Sequence, residues 1–238
     1  AFVSSIRNDS GMGITAVLFD IDGTLLDMRG AGRRSFVNSL KTVFGWDDDI
    51  SYINFAGNTD LNVLQQVFTA HGKPLTADAQ TRFFEELPRE LERTAAQAQL
   101  ILYPGVRELL ERLSGDPRIV LGLVTGNVAA CARIKLKQFD LHSHFVLGAF
   151  GDDHADRSEI ARLALQRVRA RAGREPIEFL FLIGDTPHDI RAAQSIGAFS
   201  IAVATGKFDA DALRAAGADR VLDDLSDTAA TLRLLGLG

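Results

Sequence analysis

The segment Ala16-Val17-Leu18-Phe19-Asp20-Ile21-Asp22-Gly23-Thr24-Leu25 constrains this chain more than any other, because a fully apolar run stops abruptly at two carboxylates one residue apart. An unbroken apolar run of this kind reads as a strand covered on both faces, the environment of a parallel sheet with helices above and below it. Gly23 then takes the chain out of the sheet. In an open α/β sheet the ligand crevice lies outside the carboxyl ends of the strands, which is where Asp20 and Asp22 fall. Two carboxylates so close repel unless a proton or a cation intervenes, so the pair predicts a bound metal or a split between a nucleophile and an acid. The competing reading is a turn that uses Asp and Gly for backbone reasons alone.

Four further apolar runs, Ile119 to Val124, Phe145 to Leu147, Glu178 to Ile183 and Phe199 to Val203, are each followed by a helical pattern. That alternation predicts βαβ units, and Arg220 to Leu222 with the stretch from Leu225 adds an edge strand and a closing helix. The expected fold is α/β, a Rossmann-like doubly wound parallel sheet of about six strands. Between the first strand and Tyr103 the period changes. Phe36, Val37, Leu40 and Phe44 recur at helical spacing, as do Leu61, Leu64, Val67 and Phe68, and then Phe83, Phe84, Leu87 and Leu91. These stripes predict an all-helical cap domain over residues 28–102, inserted into a core of residues 13–27 and 103–238, with residues 1–12 a flexible leader. Because the insertion leaves the sheet directly after the two carboxylates, it is placed to act as a lid.

Composition narrows the partners. A formal net charge of −5 over 238 residues argues against a binder of the phosphate backbone, which normally shows a basic face, so no nucleic-acid partner is expected. No apolar run is long enough to cross a bilayer, and the first residues lack a secretory apolar stretch, so no membrane partner and a cytoplasmic location are expected. The single Cys131, set among alanines, reads as a small packed helix residue in a reducing compartment. The arginine-rich run from Arg162 to Arg174 reads as the solvated face of a helix.

Two later strand ends carry further polar groups. Leu123-Val124-Thr125-Gly126-Asn127 puts a hydroxyl and several amides at a strand-to-helix turn, which favours an anion, although Asn127 would serve equally as an ordinary helix cap. Ile183-Gly184-Asp185-Thr186-Pro187-His188-Asp189 drops another carboxylate at the sheet edge. Pro187 suits the first turn of a helix, and Asp189 there would also be a common dipole partner. Asp20, Asp22, Asp185 and Asp189 together concentrate negative charge, which a hard cation such as Mg²⁺ resolves when phosphate shares the site. Arg157 is the candidate cation facing that phosphate, or else a surface arginine at a helix start.

These residues resemble the haloacid dehalogenase superfamily, in the phosphoglycolate-phosphatase-like branch with a helical cap. Asp20-Ile21-Asp22-Gly23-Thr24 resembles its first motif, Thr125 its second, Arg157 its third, where lysine is more usual, and Gly184-Asp185 with Asp189 its fourth. Gly32 to Phe36 and Gly57 to Asp60 are similar to cap segments that approach the active site. The resemblance implies a Mg²⁺-dependent phosphatase acting on a small phosphorylated metabolite. Asp20 would be the nucleophile and Asp22 the acid and base. Thr125, Arg157 and the amides near Gly23, Gly126 and Asn127 would hold the phosphoryl group. The Asp20 side chain, the Asp22 backbone carbonyl, Asp185 and Asp189 would hold the metal.

Asp22 argues against a dehalogenase, which has no leaving alcohol to protonate, and the cap lysines Lys41 and Lys73 show no setting for a Schiff base. A sugar phosphomutase, with the same aspartates, and a non-catalytic phosphate-binding module remain as competing readings. In the cap, Arg33, Arg34 and Asn58 are the candidates to meet the leaving group. As helix neighbours, Arg33 and Arg34 cannot both point inward.

Overall fold

The computed structural model describes residues 13–237, so the proposed leader lies outside the described residues. Strand β1 (Ile14–Phe19) is buried along its whole length and forms the centre of a six-stranded sheet. It is flanked on one side by β4 (Ile119–Val124) and β5 (Leu147–Ala149), and on the other by β6 (Ile177–Gly184), β7 (Phe199–Val203) and β8 (Arg220–Leu222). All pairings in this sheet are parallel. Side-chain alternation along β1 separates two apolar layers: Val17 and Phe19 enter the larger core, while Ile14, Ala16 and Leu18 enter the other. Helices α6 (Arg157–Ala172) and α7 (Pro187–Ser195) contribute Ile160, Ala164 and Ala192 to the second layer. The chain leaves β1 toward β4 but leaves β6 toward β7, so the topological switch, and with it the crevice, opens between the carboxyl ends of β1 and β6.

Four helices lie between β1 and β4 in the sequence, although the two strands pair directly in the sheet. The first three are α1 (Ala31–Phe44), α2 (Asp60–Ala70) and α3 (Ala77–Ala95), followed by α4 (Val106–Ser114) on the sheet itself. Phe36, Phe44 and Phe83 pack ring on ring between α1 and α3, at centroid separations of 4.6 and 6.2 Å from Phe83. This is the anchoring that the aromatic stripes predict. One feature was invisible to periodicity: two-residue strands β2 (Leu26–Asp27) and β3 (Ile101–Leu102) pair antiparallel at the root of the helices. A pair this short has no alternation to read.

One strand is displaced from its expected place. Phe145 to Leu147 reads as a strand, but β5 begins only at Leu147, after a short 3-10 turn over His142–His144. Phe145 instead packs edge-on against Phe19 at 6.0 Å, so its apolar character reflects side-chain packing before the strand, not pairing within it. The arginine-rich α6 is also less uniformly solvated than its composition indicates, since Arg167 reaches back to Asp153 at 2.9 Å.

Candidate active site

Asp20 directly follows β1, its amide bonded to the Ile183 carbonyl at 2.9 Å, and Asp185 directly follows β6. The chain turns away at Gly23 with φ of +82°, and a Cβ there would run into the Asp185 carboxylate. Both the backbone angle and the crowding therefore require glycine. Thr186 caps α7 and Asp189 completes a capping box, Asp189 Oδ2 accepting from the Thr186 amide at 3.0 Å and its hydroxyl at 2.7 Å. The cap therefore fixes a carboxylate whose other oxygen faces the cluster.

Asp20, Asp185 and Asp189 are all buried and offer oxygens within 4.8 Å of one another, while the Asp22 carboxylate lies outside this group. Only the Asp22 backbone carbonyl stays a candidate ligand. Arg157, the first residue of α6, inserts between them. Its Nη2 lies 2.5 Å from Asp20 and 2.7 Å from Asp189, and it donates to the Val124 carbonyl at 3.2 Å. Three carboxylates thus face one guanidinium, which leaves two negative charges uncompensated when all are ionised. The electrostatics register the excess. Burial pushes Asp20 up to about 7, with Arg157 opposing and Asp189 and Asp22 adding to the rise. Burial, with Asp189 and Asp20 beside it, also pushes Asp185 well above the carboxylate range. Burial works against the Arg157 charge, yet Asp189 and Asp20 outweigh it and hold the proton. Asp189 Oδ1 is buried and has no partner beyond its ion pair with Arg157 at 2.7 Å. An oxygen-only cluster that stays doubly negative against its one guanidinium when ionised fits a hard divalent cation such as Mg²⁺.

The second half of the site is built around Asp22. Thr125 follows β4, fully buried, and its hydroxyl oxygen accepts from Asn127 Nδ2 at 2.8 Å. The same Nδ2 donates to Asp22 at 2.7 Å. The competing reading of Asn127 as a helix cap does not hold: Val128 precedes α5 (Ala129–Lys137), and the Asn127 side chain is drawn to Asp22 in the site. The backbone amides of Val128 and Ala129 at the start of α5 are not free for an anion, since Val128 N donates to Asp60 at 2.8 Å and Ala129 N to Asp152 at 3.0 Å. Two amides expected to meet phosphate are likewise engaged, Asn127 N with the Thr125 hydroxyl oxygen at 3.3 Å and Gly23 N with the Leu26 carbonyl at 2.9 Å. Thr125, Arg157 and the turn around Gly126 remain the candidate donors to an anion.

A cavity of about 420 Å³ joins these groups to α1 and α2. Asp20, Asp22, Gly23, Thr125, Gly126, Asn127, Arg157 and Asp185 line its floor, and Arg33 and Asn58 its roof. Asp189 and Arg34 are the expected residues that do not line it. Of the two neighbouring arginines, Arg33 is the inward one. It donates to the carbonyls of Ile50 and Ile53, and its guanidinium stacks on Phe55 at 5.0 Å. Arg34 lies toward solvent and bonds the Arg29 carbonyl at 3.2 Å. Asn58 is engaged with its own loop, bonding Asn54, Thr59 and Asn62. Gly126 meets this loop: a Cβ there would collide with the Asn58 carbonyl oxygen.

Asp60, in the Gly57 to Asp60 segment expected to approach the site, lines the cavity, with burial foremost pushing its carboxyl up to about 6. Two residues at the cavity escaped the motif reading. Thr205 donates to the Gly23 carbonyl at 2.5 Å. The other, Lys135, is buried and bonds both oxygens of Asp22, at 2.8 and 2.6 Å, and Asn127 Oδ1 at 2.6 Å. Burial opposes the Lys135 charge, but Asp22 and Asp60 hold its proton above the usual lysine range. A signal for it existed: Val128, Cys131, Ala132, Lys135 and Leu136 share one helical stripe, and a lysine on an otherwise buried stripe needs a partner.

A doubly wound sheet with this constellation along its carboxyl edge is an enzyme of the hydrolase class. The family model for haloacid dehalogenase-like hydrolase matches residues 17–203. The chain is 29% identical over 215 residues to a protein named probable phosphatase IndB from Dickeya dadantii, covering 89% of this chain and 90% of that one. It is 28% identical to a phosphoglycolate phosphatase from Synechococcus elongatus, covering 89% and 94%. In fold it is similar to CbbY from Rhodobacter sphaeroides, solved in complex with phosphate, with a TM-score of 0.68, 24% identity and coverage of 94% and 99%. The chain belongs to the haloacid dehalogenase-like hydrolases.

Proposed function

We propose that this haloacid dehalogenase-like phosphatase is Mg²⁺-dependent and hydrolyses a small phosphate monoester through a phosphoaspartate on Asp20. The observation that carries the reading is the unlike setting of the two leading carboxylates. Asp20 sits in the buried acidic cluster against Arg157, whereas Asp22 turns its side chain to Lys135 and Asn127. Environments that differ in this way split the labour between nucleophile and proton carrier.

In the first step an Asp20 oxygen attacks phosphorus. The new oxygen–phosphorus bond forms as the bond to the leaving oxygen breaks, and Asp22 delivers a proton to that oxygen. In the second step Asp22 takes a proton from water, which attacks the same phosphorus. The bond to Asp20 breaks, inorganic phosphate leaves, and both carboxyls return to their starting states. Thr125 and Arg157, with the turn around Gly126, position the phosphoryl oxygens and offset their charge, while Gly23 and Asn127 shape the cavity floor beside them. Asp20, Asp185, Asp189 and the Asp22 carbonyl would hold Mg²⁺, which supplies neutralisation of the phosphoryl charge.

We read the helices over the cavity as a cap that selects the leaving alcohol, with Arg33 and Asn58 facing it. A small acidic or polyol leaving group, as in phosphoglycolate or a sugar phosphate, agrees with an inward arginine and with the name of the Synechococcus relative. The test is a panel of phosphate monoesters with and without Mg²⁺, run beside Asp20→Asn. Release of inorganic phosphate by the wild type, abolished in the variant and by chelator, is the expected result. Isomerisation of a hexose 1-phosphate without phosphate release would point to a mutase, and binding without turnover to a phosphate-binding module.

A further inference from the structure

We infer that Lys135 is a positioning residue that holds the Asp22 carboxylate in place for its proton transfers, an assignment that rests on the reading of Asp22 as acid and base. Three observations carry it. The Nζ reaches both Asp22 oxygens and Asn127 Oδ1, and Asn127 closes the ring by donating to Asp22 and to Thr125. The Asp22 side chain is itself 42% exposed, so without these contacts it would be free to change rotamer in the mouth of the cavity. The Lys135 side chain, by contrast, is only 7% exposed, and burying an ammonium is unfavourable unless specific partners repay it.

The ring also links the two halves of the site. Thr125 and Asn127 lie at the end of β4, Asp22 lies beyond β1, and Lys135 comes from the last turn of α5, where it passes within reach of Gly32 on α1. Arg157 is committed to Asp20 and Asp189, so it is not the cation that orients Asp22. Lys135 does not touch the acidic cluster and takes no part in the bond changes; it acts through Asp22.

Lys135→Met removes the charge and the donors at similar length, and Lys135→Gln keeps one donor should the methionine variant not fold. On an alkyl phosphate, kcat is expected to fall about 100-fold, the size of a misplaced general acid–base group, with KM nearly unchanged. On 2,4-dinitrophenyl phosphate, whose leaving group needs no proton, the first step is spared and the second is not. The variant is then expected to release a burst of one dinitrophenolate per active site before a slow steady state. In a double-mutant cycle, adding Lys135→Met to Asp22→Asn should have no further effect on turnover. A merely structural lysine would slow both substrates alike, give no burst and add its loss to that of Asp22→Asn. Crystal structures of wild type and variant separate this proposal from the phosphatase reading. Asp22 in more than one rotamer in the variant supports it whatever the substrate, and an unmoved Asp22 overturns it. A wild type inert toward every monoester overturns instead the role of Asp22 and the transfers that Lys135 is said to serve.

Discussion

Gly126→Ala tests how closely the helices over the cavity must seat on the sheet. A Cβ at this position falls inside contact distance of the Asn58 carbonyl oxygen and 3.0 Å from the Thr59 Cα, both backbone atoms, so no side-chain rotation relieves the overlap. The loop carrying Asn58 must retreat by about 1 Å, a displacement of the size that lowers turnover by about 100-fold when it misaligns a site. Retreat weakens two contacts at the start of α2: Asp60 N to the Gly126 carbonyl at 2.8 Å, and Val128 N to the Asp60 carboxylate at 2.8 Å. A neutral hydrogen bond contributes about 0.5–1.5 kcal/mol and one to a charged group about 1.5–3 kcal/mol. If the loop stays in place instead, overpacking is unfavourable by about 1–3 kcal/mol. The first route gives a destabilisation of up to about 4 kcal/mol in urea unfolding and the second about 1–3 kcal/mol, and only the first deprotects the Asp60 amide in hydrogen exchange. A variant whose midpoint and kcat/KM both match the wild type would refute the close-docking argument.

Asp20→Asn should abolish steady-state phosphate release while leaving Mg²⁺-free unfolding near or above wild-type stability, because it removes one charge from an overcrowded cluster. In the metal-free protein Asp20 holds its proton to about pH 7 when folded but only to about 3.8 when unfolded. The folded state therefore binds more protons, and stability should decline as pH rises through that window, by about 1.4 kcal/mol per unit for each such group. Mg²⁺ displaces these protons, so its affinity measured by calorimetry should weaken as pH falls below 7, with protons released on binding; a pH-independent affinity would contradict this. Arg157→Met leaves Asp20 and Asp189 buried without their cation and should destabilise the metal-free protein by about 3–5 kcal/mol, with Mg²⁺ restoring part of the stability but not turnover. Cys131 is buried and its thiol is pushed up, by burial first and then by Asp60, so alkylation of the folded protein should be at least about 100-fold slower than in urea, read by mass spectrometry.

The sequence by itself determined the sheet and the groups on its edge. Val17 to Phe19, Leu123 to Val124 and Leu182 to Ile183 are apolar on both faces, and strands of that kind must end where polar residues begin; Asp20, Thr125 and Asp185 stand at those ends. The aromatic stripes likewise announced the helices, because a period of 3.6 is local information. Tertiary structure decided whatever depends on direction between distant elements. Arg33 and Arg34 are alike in sequence, and only the packing of α1 turns the first into the cavity and leaves the second outside. Phe145 has the composition of a strand residue, but Phe19 claims its ring before the strand begins. Asn127 could cap a helix on local grounds, but Asp22, 105 positions earlier, draws its side chain away. Lys135 reads as one more helix lysine until α5 is laid beside the first strand end, and its charge is then buried against Asp22. Asp20-Ile21-Asp22 announces a reactive strand end in either case; which carboxylate meets Arg157 and which meets Lys135 is set by elements more than 100 residues away, since charge pairing acts through space and not along the chain.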